Sequence, residues 1–141
     1  MKWTDSLKVW RRDRNIIAPQ GVFVESMSEE IEEYRLAVEG FYKTKDGEIL
    51  PFKSKEDQEH AIIDAIADCI VIPSNEIALI GYDLDLVMKQ VVKHISSRQQ
   101  DPDQLKEWLS SGPSGKWKKD PNQDPSTLIE PDYTTCKLKK S

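Results

Sequence analysis

Two acidic groups in the 141-residue chain stand where carboxylates are expensive. The run "HAIIDAIADCIVI", residues 60–72, is almost wholly apolar, yet it places Asp64 and Asp68 one helical turn apart. Like charges at that spacing repel by roughly 0.2–0.5 kcal/mol even on an exposed helix, and taking an ionised carboxylate out of water costs several kcal/mol more. Two things could offset that cost: pairing with Arg11, Arg12, Arg14 or a lysine of a later helix, or a bound metal ion. The second group lies in "SMSEEIEEYRLA", which carries Glu29, Glu30, Glu32 and Glu33. With Ile31 central to the apolar stripe, Glu30 falls about 100° to one side, Glu33 lies next beyond it, and Glu32 takes the opposite flank. Glu30 and Glu33 therefore border a packed face. If that face meets the helix of Asp64 and Asp68, these four side chains form a carboxylate cage. A cage of oxygen donors, with no Cys and His spacing for zinc, selects Mg²⁺ or Mn²⁺ and leaves positions for phosphate oxygens and water.

Other chemistry-bearing residues are less specific. His60 and His94 have no serine or cysteine nucleophile beside them in a recognisable pattern, and a structural role is expected for His60. Gly115, Lys116 and Lys119 lie in "GKWKK", a segment able to fold over phosphates, although the P-loop spacing GxxxxGK[ST] is absent. Trp10 and Trp117 offer faces on which a base could stack, while tryptophans at such spacing more commonly fill a core.

The elements that position these residues are helices. Helix one is expected from about Asp5 to Ile17, capped by Thr4 or Asp5 and stopped by "APQG", with Trp3, Leu7 and Trp10 on one face. Helix two runs from near Val22 to about Gly40, on a stripe of Phe23, Met27, Ile31, Tyr34 and Val38. "YKTKDGEILPFKSKEDQ" reads as a long connecting loop, and loops of that length are often functional. Helix three begins at Lys55 or Glu56 and reaches about Ile80, with a kink or break at Pro73. Helix four, about Leu84 to Arg98, shows Leu84, Val87, Met88, Val91 and Ile95 on one side. The chain then turns rich in Pro, Gly, Ser and Lys.

With no sustained period-two alternation, the expected fold class is all-α: a four-helix-type bundle over residues 1–98. An irregular polar tail, 99–141, would pack on that core or on a neighbouring subunit. Helix three is apolar nearly all round, which in so short a chain implies a homo-oligomer, a homodimer or homotetramer. The formal net charge of −5 and scattered basic residues disfavour a nucleic-acid polymer as partner. No signal-peptide core or spanning segment is present, so no membrane is expected. Cys69 and Cys136 form no CxxC pair, which fits a reducing, cytoplasmic setting.

The acidic pattern resembles the MazG-like all-α nucleoside triphosphate pyrophosphohydrolases. That family carries EExxE on one helix and an acidic pair, typically ExxD, on a later one. Here "EEIEE" supplies Glu29, Glu30 and Glu33 in matching places, and "DAIAD" supplies Asp68, with Ala65 at the usual glutamate position and Asp64 one residue earlier. "LKVWRRDRNII", "LIGYDLDLVMKQVVKHISSR", "GPSGKWKKDPNQDP" and "EPDYTTCKL" extend the resemblance to compact phage-encoded members, over most of the chain. The resemblance implies Mg²⁺-dependent cleavage between the α and β phosphates of a nucleoside triphosphate, giving a monophosphate and pyrophosphate in a bacterial or phage-infected cell. By matched position Glu30, Glu33, Asp64 and Asp68 are metal ligands, and Glu29 and Glu33 are the catalytic carboxylates. Lys93 and Arg98, with Lys89 a turn earlier, fall where the family places basic phosphate contacts, and Lys116 and Trp10 complete the expected substrate contacts. The rival expectations are an all-α dUTP/dUDP or ppGpp hydrolase, and a noncatalytic helical protein that binds a host factor.

Overall fold

The structure, a computed structural model, describes residues 2–139. Among these the chain forms five α-helices and one small two-stranded sheet, so it is predominantly helical. Its contacts divide it into two compact units, Met1–Tyr82 and Asp83–Ser141. The sequence pattern groups the fourth helix with the first three, whereas the contacts group it with the residues that follow.

The first unit holds α1 (Trp3–Asp13), α2 (Phe23–Glu39), β1 (Phe41–Lys43), β2 (Ile49–Pro51) and α3 (Lys55–Leu79). α1 starts two residues before the expected Asp5, without a side-chain cap, and ends four residues before Ile17. α2 stops at Gly40, whose φ of 98° is the left-handed conformation that glycine alone adopts cheaply. Where a loop is expected, the next residues make a hairpin: Phe41 pairs with Pro51, Tyr42 with Leu50 and Lys43 with Ile49. Strands of three residues are too short to show alternation, so the pattern could not reveal them. Ser54 then caps α3 by accepting from the Asp57 N–H at 3.1 Å.

α3 continues through Pro73 with no break. Proline removes the N–H that would reach the Cys69 carbonyl, while the buried Ser74 donates its hydroxyl to the Ile70 carbonyl at 2.5 Å. α2 and α3 make the principal helix contact of this unit. Their seam holds the buried Leu36, Ala37 and Ala65, and Gln58 of α3 donates to the Ala37 carbonyl at 2.9 Å.

The second unit holds α4 (Leu84–Ser97) and α5 (Pro102–Ser111), followed by two short 3₁₀ turns. α5 lies inside the stretch expected to be irregular. Its start is well specified: Asp101 accepts from the Gln104 N–H at 3.1 Å and Pro102 occupies the first helical position. The "GKWKK" segment is tied to this helix, because Gln104 donates to the Lys116 carbonyl at 2.9 Å and accepts from the Lys118 N–H at 2.8 Å. The final segment is fastened at Cys136, which is buried and whose carbonyl accepts from the Asp83 N–H at 2.7 Å. Among the described residues no helix is long and apolar enough to cross a membrane.

Candidate metal centre

The α2–α3 seam brings three of the four expected ligands together. Glu30 and Glu33 are one turn apart on α2, and Asp68 comes from α3. One carboxylate oxygen from each lies within 4.8 Å of the others. Octahedral coordination at about 2.1 Å places oxygens roughly 3–4.2 Å apart, so the donor set is of the right kind and close to the right spacing for a hard cation.

Glu33 and Asp68 are exposed to solvent, and the shielded member of the group is Glu30. Glu30 is half-buried, and its Oε2 is shielded from solvent with no hydrogen-bond donor. Burial first, and then the charges of Glu33 and Asp68, push the Glu30 carboxyl up to about 7. Among the described residues no basic side chain forms an ion pair with Glu30, Glu33, Asp64 or Asp68; acids elsewhere are paired, as Asp13 is with Arg12, Glu32 and Glu39 with Arg35, and Glu56 with His60. Arg11, one of the arginines able to neutralise the aspartates, donates instead to Asn75 Oδ1 at 2.7 Å. A shielded carboxylate oxygen without a donor, facing two further carboxylates, is chemistry that a divalent cation satisfies and a proton satisfies only in part.

Asp64 stands outside the group. It is exposed on α3 and contributes no oxygen to the cluster that Glu30, Glu33 and Asp68 form. Ala65, at the position where the resemblance leads one to expect glutamate, is buried at 2% exposure against α2, so that site contributes packing rather than charge. Glu29 is exposed and does not join the three, but with Glu33 it lines a cleft of about 610 Å³ whose other wall is Phe41, Tyr42, Lys43, Thr44 and Phe52. The Tyr42 and Phe52 rings sit 5.2 Å apart. Sequence reading missed these cleft aromatics, although their concentration beside Gly40 in an otherwise charged segment was a usable signal.

The expected substrate contacts fall in both units. Trp10 lies on α1 with the Arg14 guanidinium 4.7 Å above its ring, so one face is already occupied. It lines a second cavity, of about 170 Å³, together with Arg11, Phe23, Ile72, Asn75 and Glu76. Lys89 and Lys93 are exposed on α4. Arg98 follows that helix and donates from Nε to His94 Nε2 at 3.2 Å, while Lys116 is exposed. All four belong to the second unit. Compared with known proteins, the chain matches no family model, no curated protein and no solved structure.

Proposed function

We propose that the chain is a Mg²⁺- or Mn²⁺-dependent nucleoside triphosphate pyrophosphohydrolase that releases a nucleoside monophosphate and pyrophosphate. The observation that carries the reading is the convergence of Glu30, Glu33 and Asp68, in which the shielded Glu30 Oε2 has no hydrogen-bond donor and no basic side chain paired with it among the described residues. The order of acidic motifs that resembles the MazG-like enzymes and the open cleft beginning at Glu33 also support it.

Glu30, Glu33 and Asp68 would hold the cation. When bound, it neutralises the triphosphate and lowers the pKa of a water at the site. Glu29, on the cleft wall beside Glu33, would accept a proton from the attacking water, and the cleft would receive the substrate. Lys89, Lys93, Arg98, Lys116 and Trp10 belong to the proposal through the resemblance alone.

The test is pyrophosphate release from the standard nucleoside triphosphates with and without Mg²⁺. Monophosphate and pyrophosphate are expected in equal amounts, with activity removed by chelation and lost in both Glu33→Gln and Asp68→Asn while helical circular dichroism is retained. Orthophosphate as the sole inorganic product would overturn the cleavage position. Absence of hydrolysis across the panel, dUTP, dUDP and ppGpp included, would overturn the enzyme.

A further inference from the structure

α1 carries a half-buried cation, Arg11, that no carboxylate pairs with among the described residues. Loss of water around the guanidinium pulls its pKa below the ordinary value. Its side-chain hydrogen bond runs from Nη1 to Asn75 Oδ1 on α3 at 2.7 Å. A guanidinium only donates, so this bond fixes the Asn75 amide with its oxygen toward Arg11. The amide NH₂ then turns away from Arg11, and it has no acceptor among the described residues. Arg11 and Asn75 together thus offer spare N–H donors and no spare acceptor. Both line the smaller cavity, of about 170 Å³, whose walls include Phe23, Ile72 and Leu79. A cavity of about 150 Å³ admits a benzene ring, so this one has the size for a single six-membered ring. A phosphate would give up its water to these apolar walls for one cation and would meet the carboxylate of Glu76, also in the lining. A flat, neutral ring bearing a carbonyl fits better.

The cavity also stands in register with the carboxylates. Ser26, in its lining, precedes Glu30 by one turn of α2, and Ile72 follows Asp68 by one turn of α3. The cleft opens on the other side, from Glu33 toward Ala37 and the hairpin. Along the seam the order is cavity, carboxylates, cleft. We infer that Arg11 and Asn75 select the base of the substrate, a pyrimidine with a carbonyl at C4, uracil or thymine, in preference to cytosine. The inference rests on the reading of the chain as a nucleoside triphosphate pyrophosphohydrolase. The C4 carbonyl accepts from the Arg11 and Asn75 N–H groups, whereas the C4 amino group of cytosine sets donor against donor and leaves both unpaired away from water. The second ring of a purine exceeds the cavity. With the base held here, the phosphates cross the carboxylates toward the open cleft, where Lys43 is the basic residue of the lining.

The test uses the full chain and two readouts: kcat/KM in Mg²⁺ for UTP, CTP, dUTP, dCTP, dTTP and dATP, and calorimetric binding of the α,β-methylene analogues of dUTP and dCTP. A preference of about tenfold or more for uracil and thymine over cytosine is expected in both. Asn75→Asp exchanges a donor for an acceptor while leaving Arg11 a partner, so the preference should narrow to within about twofold or invert. A bond that merely ties α1 to α3 would change all substrates alike and leave the ratio intact. Hydrolysis with no such preference, with dATP favoured, or with a preference that Asn75→Asp does not move would overturn the base site and leave the hydrolase standing. Analogue binding with the expected preference but no hydrolysis would uphold the base site and overturn the hydrolase, and absence of both would overturn the two together. If Asn75→Asp does not fold, Arg11→Met decides: a ratio reduced to within about twofold supports the base site, and an unchanged ratio overturns it.

Discussion

The two flanks of α2 carry the same residue type and arrive at opposite electrostatic states. On the outer flank Arg35 sits between Glu32 and Glu39, with contacts of 2.6 and 2.9 Å, and its hydrogen bond to Glu32 holds that carboxyl below the usual range. On the inner flank Glu30 and Glu33 meet Asp68, and the Glu30 carboxyl is pushed up to about 7. A run of glutamates is therefore two structures, one neutralised by its own helix and one left charged against a neighbour. Local spacing explains the first, since pairs at i,i+3 and i,i+4 form on any solvated helix. The second exists only because α3 supplies another negative group across the seam, an arrangement that folding alone does not favour.

The sharpest way to break the comparison is to exchange carboxylates for amides on each flank. Glu33→Gln or Asp68→Asn should lower pyrophosphate release by roughly a thousandfold or more if they hold the cation, and Glu32→Gln should stay within about twofold, both read as initial rates in Mg²⁺. Equal losses on the two flanks would mean that the helix, not the cluster, is being disturbed.

Metal affinity gives the next effect. Cation binding needs Glu30 ionised, so Mn²⁺ affinity measured by electron paramagnetic resonance should rise as pH climbs toward about 7 and level off above it. Glu30→Gln should weaken binding by at least about tenfold and abolish that pH dependence. Without metal the sign reverses. The folded carboxyl titrates at about 7 against 4.5 for the free group, so the folded state holds the proton more tightly between those values. The stability it contributes is full at the acid end of that window and is lost as pH rises through about 7. Chemical denaturation in chelator at pH 5 and pH 8 should show this fall, and saturating Mg²⁺ should reverse it.

A smaller effect follows at neutral pH. In chelator, Glu30→Gln should raise the melting temperature by roughly 2–4 °C, because one of three mutually repelling charges is removed; the same change in Glu32 should not raise it. Smallest of all, Arg35→Ala should lower the melting temperature by about a degree or less, since its partners are exposed and solvent screens the pair. A large loss there would show the outer flank to matter more than its exposure implies.

Part of this arrangement could be read in the chain itself. Glu30 and Glu33 were separable from Glu32 because 100° per residue places them on one flank of the apolar stripe and Glu32 on the other, and that geometry needs no knowledge of the rest of the molecule. Asp64 shows where such reasoning stops. The wheel gives direction but not height, and the height of α3 against α2 is set by Ala65, Leu36 and Ala37 packing together and by the Gln58 bond to Ala37. α5 is a different case. Asp101, Pro102 and Gly112 bracket Leu105, Trp108 and Leu109 at helical spacing, so the local signals are present and the polar composition of the surrounding tail masked them. The hairpin had no such signal, because three-residue strands become stable only when joined to the helices on either side.

The base of that hairpin is pinned on both sides of the chain reversal. Gly40 accepts from the Phe52 N–H at 3.1 Å, and Gln58 reaches the last turn of α2. Its tip is closed by bonds of its own, from the Thr44 N–H to Glu48 and from the Gly47 N–H to Thr44, with Lys45 and Asp46 exposed between them. Strain introduced at the tip is absorbed before it reaches the seam. Asp46 is accordingly a natural graft point for a fluorophore or affinity handle, from which cleft occupancy could be followed while the carboxylates keep their places.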